Sequence, residues 1–324
     1  MYRIFDISLT SEIQLPGLSH CYSDTPDWVV TTPSEPLDDS AFQWIHSWKS
    51  EDGRELMKTA RRGEEYLLNV FDMAVFHIQF SKRQIDAYAL QECPSNSMAH
   101  LLLDQVLPRV LCHQGQPVIH ASSVLLNDGS AIAFSGPSGR GKSTLATAFH
   151  KAGHPVLADD CLLLKQRGSE IIAISAYSSL RLWPDSLDLL LEGADVKEDS
   201  ISEMAHYTSK KQFLLESLDA STTLEPPALS ALFILDDPAD RPQCDEIRIS
   251  PASGSSAIMA IIESSFSLDV VGRDAIRRNF EAVGKVASHV PVFNLSYPRQ
   301  YEKLTQTIAK ITEFSRLQQH APET

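Results

Sequence analysis

The stretch Gly136-Pro-Ser-Gly-Arg-Gly-Lys-Ser143 constrains this chain more than any other. It fits G-x-x-x-x-G-K-[ST] at every specified position. The apolar run "SAIAFSG" leads into it and "KSTLATAFHKAG", a helix pattern ending at Gly153, leads out. Glycines let such a loop curl until successive N–H groups converge on an anion, and the helix start adds its dipole. A strand must therefore enter and a helix must leave, which makes the surrounding fold α/β. The phosphate-binding residues are Gly136, Pro137, Ser138, Gly139, Arg140, Gly141, Lys142, Ser143 and Thr144. In such a loop the lysine, Lys142, lies against the β/γ-phosphates and the Ser143 hydroxyl is a magnesium ligand, with Thr144 in support. Arg140 occupies an unspecified position, where it touches phosphate or faces solvent. The loop implies a bound Mg-nucleotide but no particular reaction, because it serves ATPases, GTPases and kinases alike.

One helix later the strand pattern "HPVLADD" ends on Asp159 and Asp160. Ligands of open α/β sheets sit at the carboxyl ends of strands. One carboxylate there can hold Mg²⁺ and the other can accept a proton from an attacking hydroxyl, which is most of what phosphoryl transfer requires. A second pair, Asp236 and Asp237, closes the apolar run "ALFILDD". By pattern alone this looks like a stronger magnesium-binding segment, but Pro238 follows at once, which suits a turn, and the favoured of the two readings is an acidic strand-to-loop cap.

Lys+Arg number 28 against 42 Asp+Glu, a net charge of −14. That balance excludes a nucleic-acid-binding surface and disfavours anionic membranes. Cys21, Cys93, Cys112, Cys161 and Cys244 are widely spaced with no C-x-x-C, as reduced thiols are. "MYRIFDISLTSEIQL" has no basic start followed by an apolar run, and no stretch reaches the roughly 18 apolar residues of a bilayer span. The expectation is a cytoplasmic protein.

Residues 1–94 read as β-rich. "YRIFDISL", two short runs around Asp72 in "YLLNVFDMAVFHIQF", and "QIDAYAL" are strand candidates. "SDTPDWVVTTPSEPLDDSAF" carries three prolines and several acids, and reads as a loop. A helix is predicted over 95–115, capped by Ser95 or Ser97, ended by Gly115, and kinked or broken at Pro108. The domain boundary is placed near it. Beyond lie a strand "PVIHASSVLL", the turn "NDG", and a hairpin through Arg167–Gly168. Then come a buried-type strand in "PPALSALFILDDP", helices in "SSAIMAIIESSF" and "RDAIRRNFEAVGKVAS", a last strand "VPVFNLSYPR" and a last amphipathic helix.

"IHASSV", "GPSGRGKST", "LADD" and "VPVFNLSYPRQYEKL" together resemble the catalytic domain of the HPr kinase/phosphorylase family. The likeness is to its HPr-kinase-related branch, which includes lasso-peptide precursor kinases. It covers roughly 117–312, with its specific motifs in 119–160 and 290–299. It implies a P-loop kinase domain of the HPr kinase/phosphoenolpyruvate carboxykinase type over 95–318 and a smaller β-rich (α+β) N-terminal domain over 1–94; the tail, 319–324, reads as frayed from its place at the chain end. The implied activity uses ATP and Mg²⁺ to phosphorylate a serine hydroxyl of a peptide or small protein. Carried over by position, Lys142 and Ser143 keep their loop roles and Asp159 is the catalytic base. Asp160 assists at the metal, and His120 contacts the base and orients it. One departure stands out. The glycine-rich signature that true HPr kinases carry after the acid pair is missing, and "SSLRLWPDS" takes its place. That weakens the case for HPr itself as acceptor and for the reverse, phosphorolytic reaction. True HPr kinases assemble as oligomers, so a homo-oligomer is a further implication.

Read without the resemblance, His120 beside Ile119 is a hydrogen-bonded core histidine. Arg181 and Arg299 stand at strand or turn ends, where a guanidinium either contacts phosphate or substrate or makes a structural ion pair. Arg273, Arg277 and Arg278 fall at helical spacing, as a solvated face or as a basic patch for an acidic leader peptide or a subunit partner. Cys161 reads as buried. Tyr177 and Trp183 line a groove or belong to the core. The first functional expectation is a serine kinase acting on a peptide, at the C-terminal serine of a lasso-type precursor. The alternatives are a kinase of an HPr-like protein or a small-molecule hydroxyl, and a nucleotide-binding regulatory or assembly protein without kinase activity.

Overall fold

The computed structural model describes all residues except 51, 91–92, 177–178, 183–200, 204–210, 215–224, 238–244 and 320–324; of 179–182, 201–203, 211–214 and 319 it describes the backbone alone. The chain divides into two compact units. The first comprises Met1–Gln116 with Phe266–Asn279, and the second the described remainder. The division thus follows the 95–115 segment, where the sequence reading placed it just before.

The first unit is built on a nine-stranded sheet in the order β3-β1-β2-β4-β9-β8-β7-β6-β5. Its strands are β1 (Tyr2–Ile4), β2 (Ile7–Ser11), β3 (Ser19–His20), β4 (Trp28–Thr31), β5 (Gln43–Lys49), β6 (Glu55–Arg62), β7 (Glu65–Val70), β8 (Ala74–Gln79) and β9 (Gln84–Ala89). β5 to β9 form an antiparallel meander, and β4 bridges β2 and β9 in parallel. β4 lies inside the segment expected to be a loop. Its prolines flank the strand at Pro26 and Pro33 rather than interrupt it, and Trp28 and Val30 alternate inward to full burial. The 95–115 helix breaks as Pro108 dictates. α1 (Ser95–Leu101) passes into a π-helical turn, Leu102–Val106, and restarts as α2 (Leu107–His113) with the proline in its first turn. Pro108 has no N–H to return to the carbonyl four residues back, and the wider turn absorbs the mismatch. Neither Ser95 nor Ser97 caps α1. Pro94 holds the cap position, with no side-chain bond.

The second unit centres on a six-stranded sheet in the order β13-β11-β12-β19-β21-β20. The anticipated strand "PVIHASSVLL" is two strands. β10 (Val118–Ile119) pairs with β14 (Leu162–Arg167) in a small sheet completed by β15 (Glu170–Ser175). β11 (Ala121–Leu125) pairs with β12 (Ala131–Ser135) and β13 (Val156–Ala158). His120 is the residue at which the chain changes sheets. β16 (Ser179–Leu182), β17 (Ile201–Glu203) and β18 (Lys211–Leu214) form a further small sheet.

β12, β19 (Leu229–Leu235) and β21 (Val292–Ser296) run parallel side by side, with β20 (Arg248–Pro251) antiparallel at the edge. β13 and β12 are both antiparallel to β11, so β13 points the same way as they do. The carboxyl ends of β12, β13, β19 and β21 therefore share one edge of the sheet, and the start of β11 reaches that edge from the opposite direction.

Two apolar layers hold this frame. Ile132, Phe134, Phe233 and Phe293 pack on one face with Leu145 and Phe149 of α3 (Lys142–Lys151) and Leu304, Ile308 and Ile311 of α6 (Leu304–Gln319). The alternate residues Ala131 and Ala133 turn to the other face. They meet Ala257 and Ile261 of α4 (Gly254–Ser264), Val283 and Val286 of α5 (Arg273–His289), and Leu162 and Leu164 of the small sheet. Each fully buried large side chain contributes on the order of 1.5–3 kcal/mol. Among the described residues, no helix is long and apolar enough to cross a membrane.

Candidate active site

The glycine loop leaves β12 and re-enters the helix at Gly141, which caps α3 at φ +88°. Gly136 and Gly139 also take positive φ, +143° and +80°. The loop thus has the left-handed residues that its curl needs. Lys142 is 4% exposed and donates to the carbonyls of Gly136 (2.8 Å) and Pro137 (2.9 Å). Its ammonium already spans the mouth of the loop.

Asp159 and Asp160 follow β13 on the same sheet edge. Ser143 Oγ donates to Asp159 Oδ1 at 3.0 Å, and Ser122 Oγ of β11 donates to the same oxygen at 2.5 Å. Ser122 is fully buried and Asp159 is 7% exposed. His120 Nε2 lies 3.0 Å from Asp160 Oδ1. The histidine is fixed by its own backbone: its N–H donates to the Ser264 carbonyl at 2.7 Å, and its carbonyl accepts from Ser135 Oγ at 3.1 Å.

His120 was expected to contact and orient Asp159; a contact with Asp160 is found. The cause is local. Asp160 has φ +71°, a left-handed conformation that aspartate tolerates better than most residues. Asp159 goes to the hydroxyls of Ser122 and Ser143, and Asp160 to the imidazole.

Asp236 and Asp237, beyond β19, are not a bare acidic cap. Arg140 donates to Asp237 Oδ2 at 2.8 Å. Arg299, beyond β21, donates to Asp236 Oδ1 at 2.7 Å, to the Asp236 carbonyl at 3.1 Å and to the Arg140 carbonyl at 2.6 Å. Its guanidinium lies 3.9 Å from the centroid of the Tyr297 ring. Arg140 and Arg299, the two candidate phosphate contacts of this region, are thus both committed to carboxylates.

Elsewhere the outcomes differ by residue. Cys161 is buried, as anticipated. Arg277 pairs with Asp274 at an exposed site, and Arg278 turns back to the His113 carbonyl. Arg181 lies on β16, where only the backbone is described, and Tyr177 and Trp183 fall outside the described residues. Ser122 escaped the sequence reading altogether. Its only trace there is a pair of serines in an otherwise apolar strand.

The arrangement brings the glycine-rich loop, a lysine, a serine hydroxyl and two carboxylates to one sheet edge. Ser143 Oγ and the Asp159 carboxylate are hard oxygen donors, the kind Mg²⁺ takes together with substrate phosphates. The donor set therefore fits that ion.

No protein-family model and no curated protein matches the chain. Among solved structures it is similar to the Hpr(Ser) kinase/phosphatase from Coxiella burnetii, with 15% sequence identity and a TM-score of 0.32. The likeness covers 63% of this chain and 99% of the other.

Proposed function

We propose that this chain is an ATP- and Mg²⁺-dependent kinase that transfers the γ-phosphoryl group to a serine hydroxyl of a peptide. The observation that carries the reading is a pair of contacts at one strand end: Asp159 with the loop serine, and Asp160 with a histidine. The loop and Lys142 hold the phosphates. Ser143 and Asp159 hold Mg²⁺, which when bound neutralises phosphate charge. Asp160, steadied by His120, accepts the hydroxyl proton as the phosphoryl group moves in line. Relative to the roles implied by family resemblance, Asp159 and Asp160 change places. Ser122 fixes the rotamer of Asp159. The peptide acceptor is carried by the sequence motifs alone, and the C-terminal serine of a lasso-type precursor is the first acceptor to try.

The test is a mass-spectrometric phosphotransfer assay with ATP, Mg²⁺ and peptides ending in serine, alanine or amidated serine. Asp160→Asn is the control. A phosphate-sized mass gain on serine peptides, lost in the variant, is the expected result. Phosphate on an HPr-like protein or a small hydroxyl compound instead would keep the kinase and replace the acceptor. Nucleotide binding with no transfer to any of these would leave a regulatory nucleotide-binding protein as the better reading.

A further inference from the structure

Arg299 does not belong to the chemistry above, yet it is bound to three of the segments that build the site. Its Nη1 holds the carbonyl of Arg140 in the loop after β12, and its Nη2 holds both the carbonyl and the carboxylate of Asp236 after β19. Its guanidinium stacks on Tyr297, just after β21. One planar fork thus ties together the carboxyl ends of three adjacent parallel strands. The loop is seated tightly against this group. A Cβ on Gly141 would stand 2.7 Å from the Tyr297 hydroxyl and 3.0 Å from Arg299 Nη1. Tyr297 is 2% exposed, and burial pushes its phenol up to about 12, so it offers a neutral ring and hydroxyl.

We propose that Arg299 is a positioning residue: it sets the nucleotide affinity of the loop by clamping the Arg140–Gly141 peptide, and it is not itself a phosphate ligand. The inference rests on the nucleotide-binding reading above. The reason lies in the peptide plane. In a trans peptide the carbonyl of Arg140 and the N–H of Gly141 point in opposite directions. Holding the carbonyl on Arg299 therefore fixes the direction of the Gly141 N–H, in the loop whose N–H groups receive phosphate. The Arg140 side chain is tied to Asp237, so the same residue is held at both its side chain and its backbone. A lysine at 299 could make one of these contacts but not the fork or the stack.

The experiment measures Mg·ATP and Mg·ADP affinity by calorimetry for the full chain and for Arg299→Ala, Arg299→Lys and Asp236→Asn, with thermal unfolding alongside. Loss of one charge-assisted clamp should weaken binding of Arg299→Ala about tenfold. The loss should be equal for both nucleotides, because a loop out of shape fails every phosphate. Arg299→Lys and Asp236→Asn should fall between. With an acceptor in hand, KM for ATP should rise while kcat stays within about threefold. Wild-type affinity in folded variants would overturn the clamp. So would a loss for ATP about tenfold larger than for ADP, which would make Arg299 a γ-phosphate contact. If Arg299→Ala does not fold, the other two variants decide by the same criteria. Wild-type protein that binds neither nucleotide would overturn the nucleotide-binding reading itself, and the clamp with it.

Discussion

Asp160 Oδ1 and His120 Nε2 stand 3.0 Å apart, while the neighbouring carboxylate of Asp159 is occupied by the hydroxyls of Ser122 and Ser143. The two acids are adjacent in sequence and make different contacts here, and their substitutions should therefore have different signatures. Asp160→Asn should lower kcat about 10²–10⁴-fold with nucleotide affinity kept, as loss of a general base does. Asp159→Asn should shift the Mg²⁺ dependence of nucleotide binding. Calorimetry with and without Mg²⁺, beside the phosphotransfer rate, separates them. The opposite pattern would restore the roles first read from the motifs.

Ser122 should be a stability and positioning residue at once. Its hydroxyl is buried on β11 and donates to a carboxylate. Ser122→Ala removes a hydrogen bond to a charged acceptor and should cost about 1.5–3 kcal/mol in urea unfolding. Ser122→Thr keeps the hydroxyl and should recover part of the metal response that the alanine loses. A Ser122→Ala protein as stable as the wild type would mean that Asp159 is held by other partners.

The three loop glycines with positive φ are not equivalent. Gly139 has φ +80° with nothing within 4 Å of an added Cβ, whereas Gly141 has φ +88° and Tyr297 and Arg299 in the way. Gly139→Ala should cost roughly 1–2 kcal/mol for the left-handed backbone alone. Gly141→Ala adds overpacking of about 1–3 kcal/mol and displaces the loop from its seat. Comparing nucleotide affinity and melting temperature of the two variants checks this. Equal losses at both positions would show that the Tyr297–Arg299 seat gives way freely.

The glycine loop was legible in the sequence because its shape is local: glycines mark left-handed positions and the flanking apolar patterns mark strand and helix. The contact of Asp160 with His120 was not legible, because it depends on the backbone conformation after β13, where Asp160 has φ +71°. Sequence adjacency carries no such information. Asp236 and Asp237 read as a cap because their partners, Arg299 and Arg140, lie 63 and 97 residues away along the chain. β4 was hidden by prolines that prove to be its borders, and the half-exposed β5 lacked the apolar alternation that marks a strand. The small apolar residues Ala131 and Ala133, opposite Ile132 and Phe134, show the converse. There the apolar run was plain and the strand formed as anticipated.

The first unit carries its own acid sensitivity. Burial holds the His113 imidazole down at about 4, against its ordinary 6.5, and Arg278 beside it acts in the same direction. Burial would raise the Asp269 carboxyl, but the Gly272 and Val271 N–H groups, the Tyr66 hydroxyl and Arg61 outweigh it and hold it below its ordinary value. Both shifts have the same sign in stability. From pH 6.5 down to about 4 the unfolded chain binds a proton at position 113 that the folded chain refuses. The His113 contribution is therefore complete above 6.5 and lost as pH falls to about 4. The Asp269 contribution is complete above the ordinary carboxylate value and lost below it, as the folded carboxyl takes up its proton. Urea unfolding followed by tryptophan fluorescence reads this unit through Trp28, Trp44 and Trp48. Stability should fall with acid in two stages. His113→Gln should flatten the upper stage and leave the lower one, and Asp269→Asn should do the reverse. An unchanged slope above pH 4 in His113→Gln would assign the upper stage to other groups.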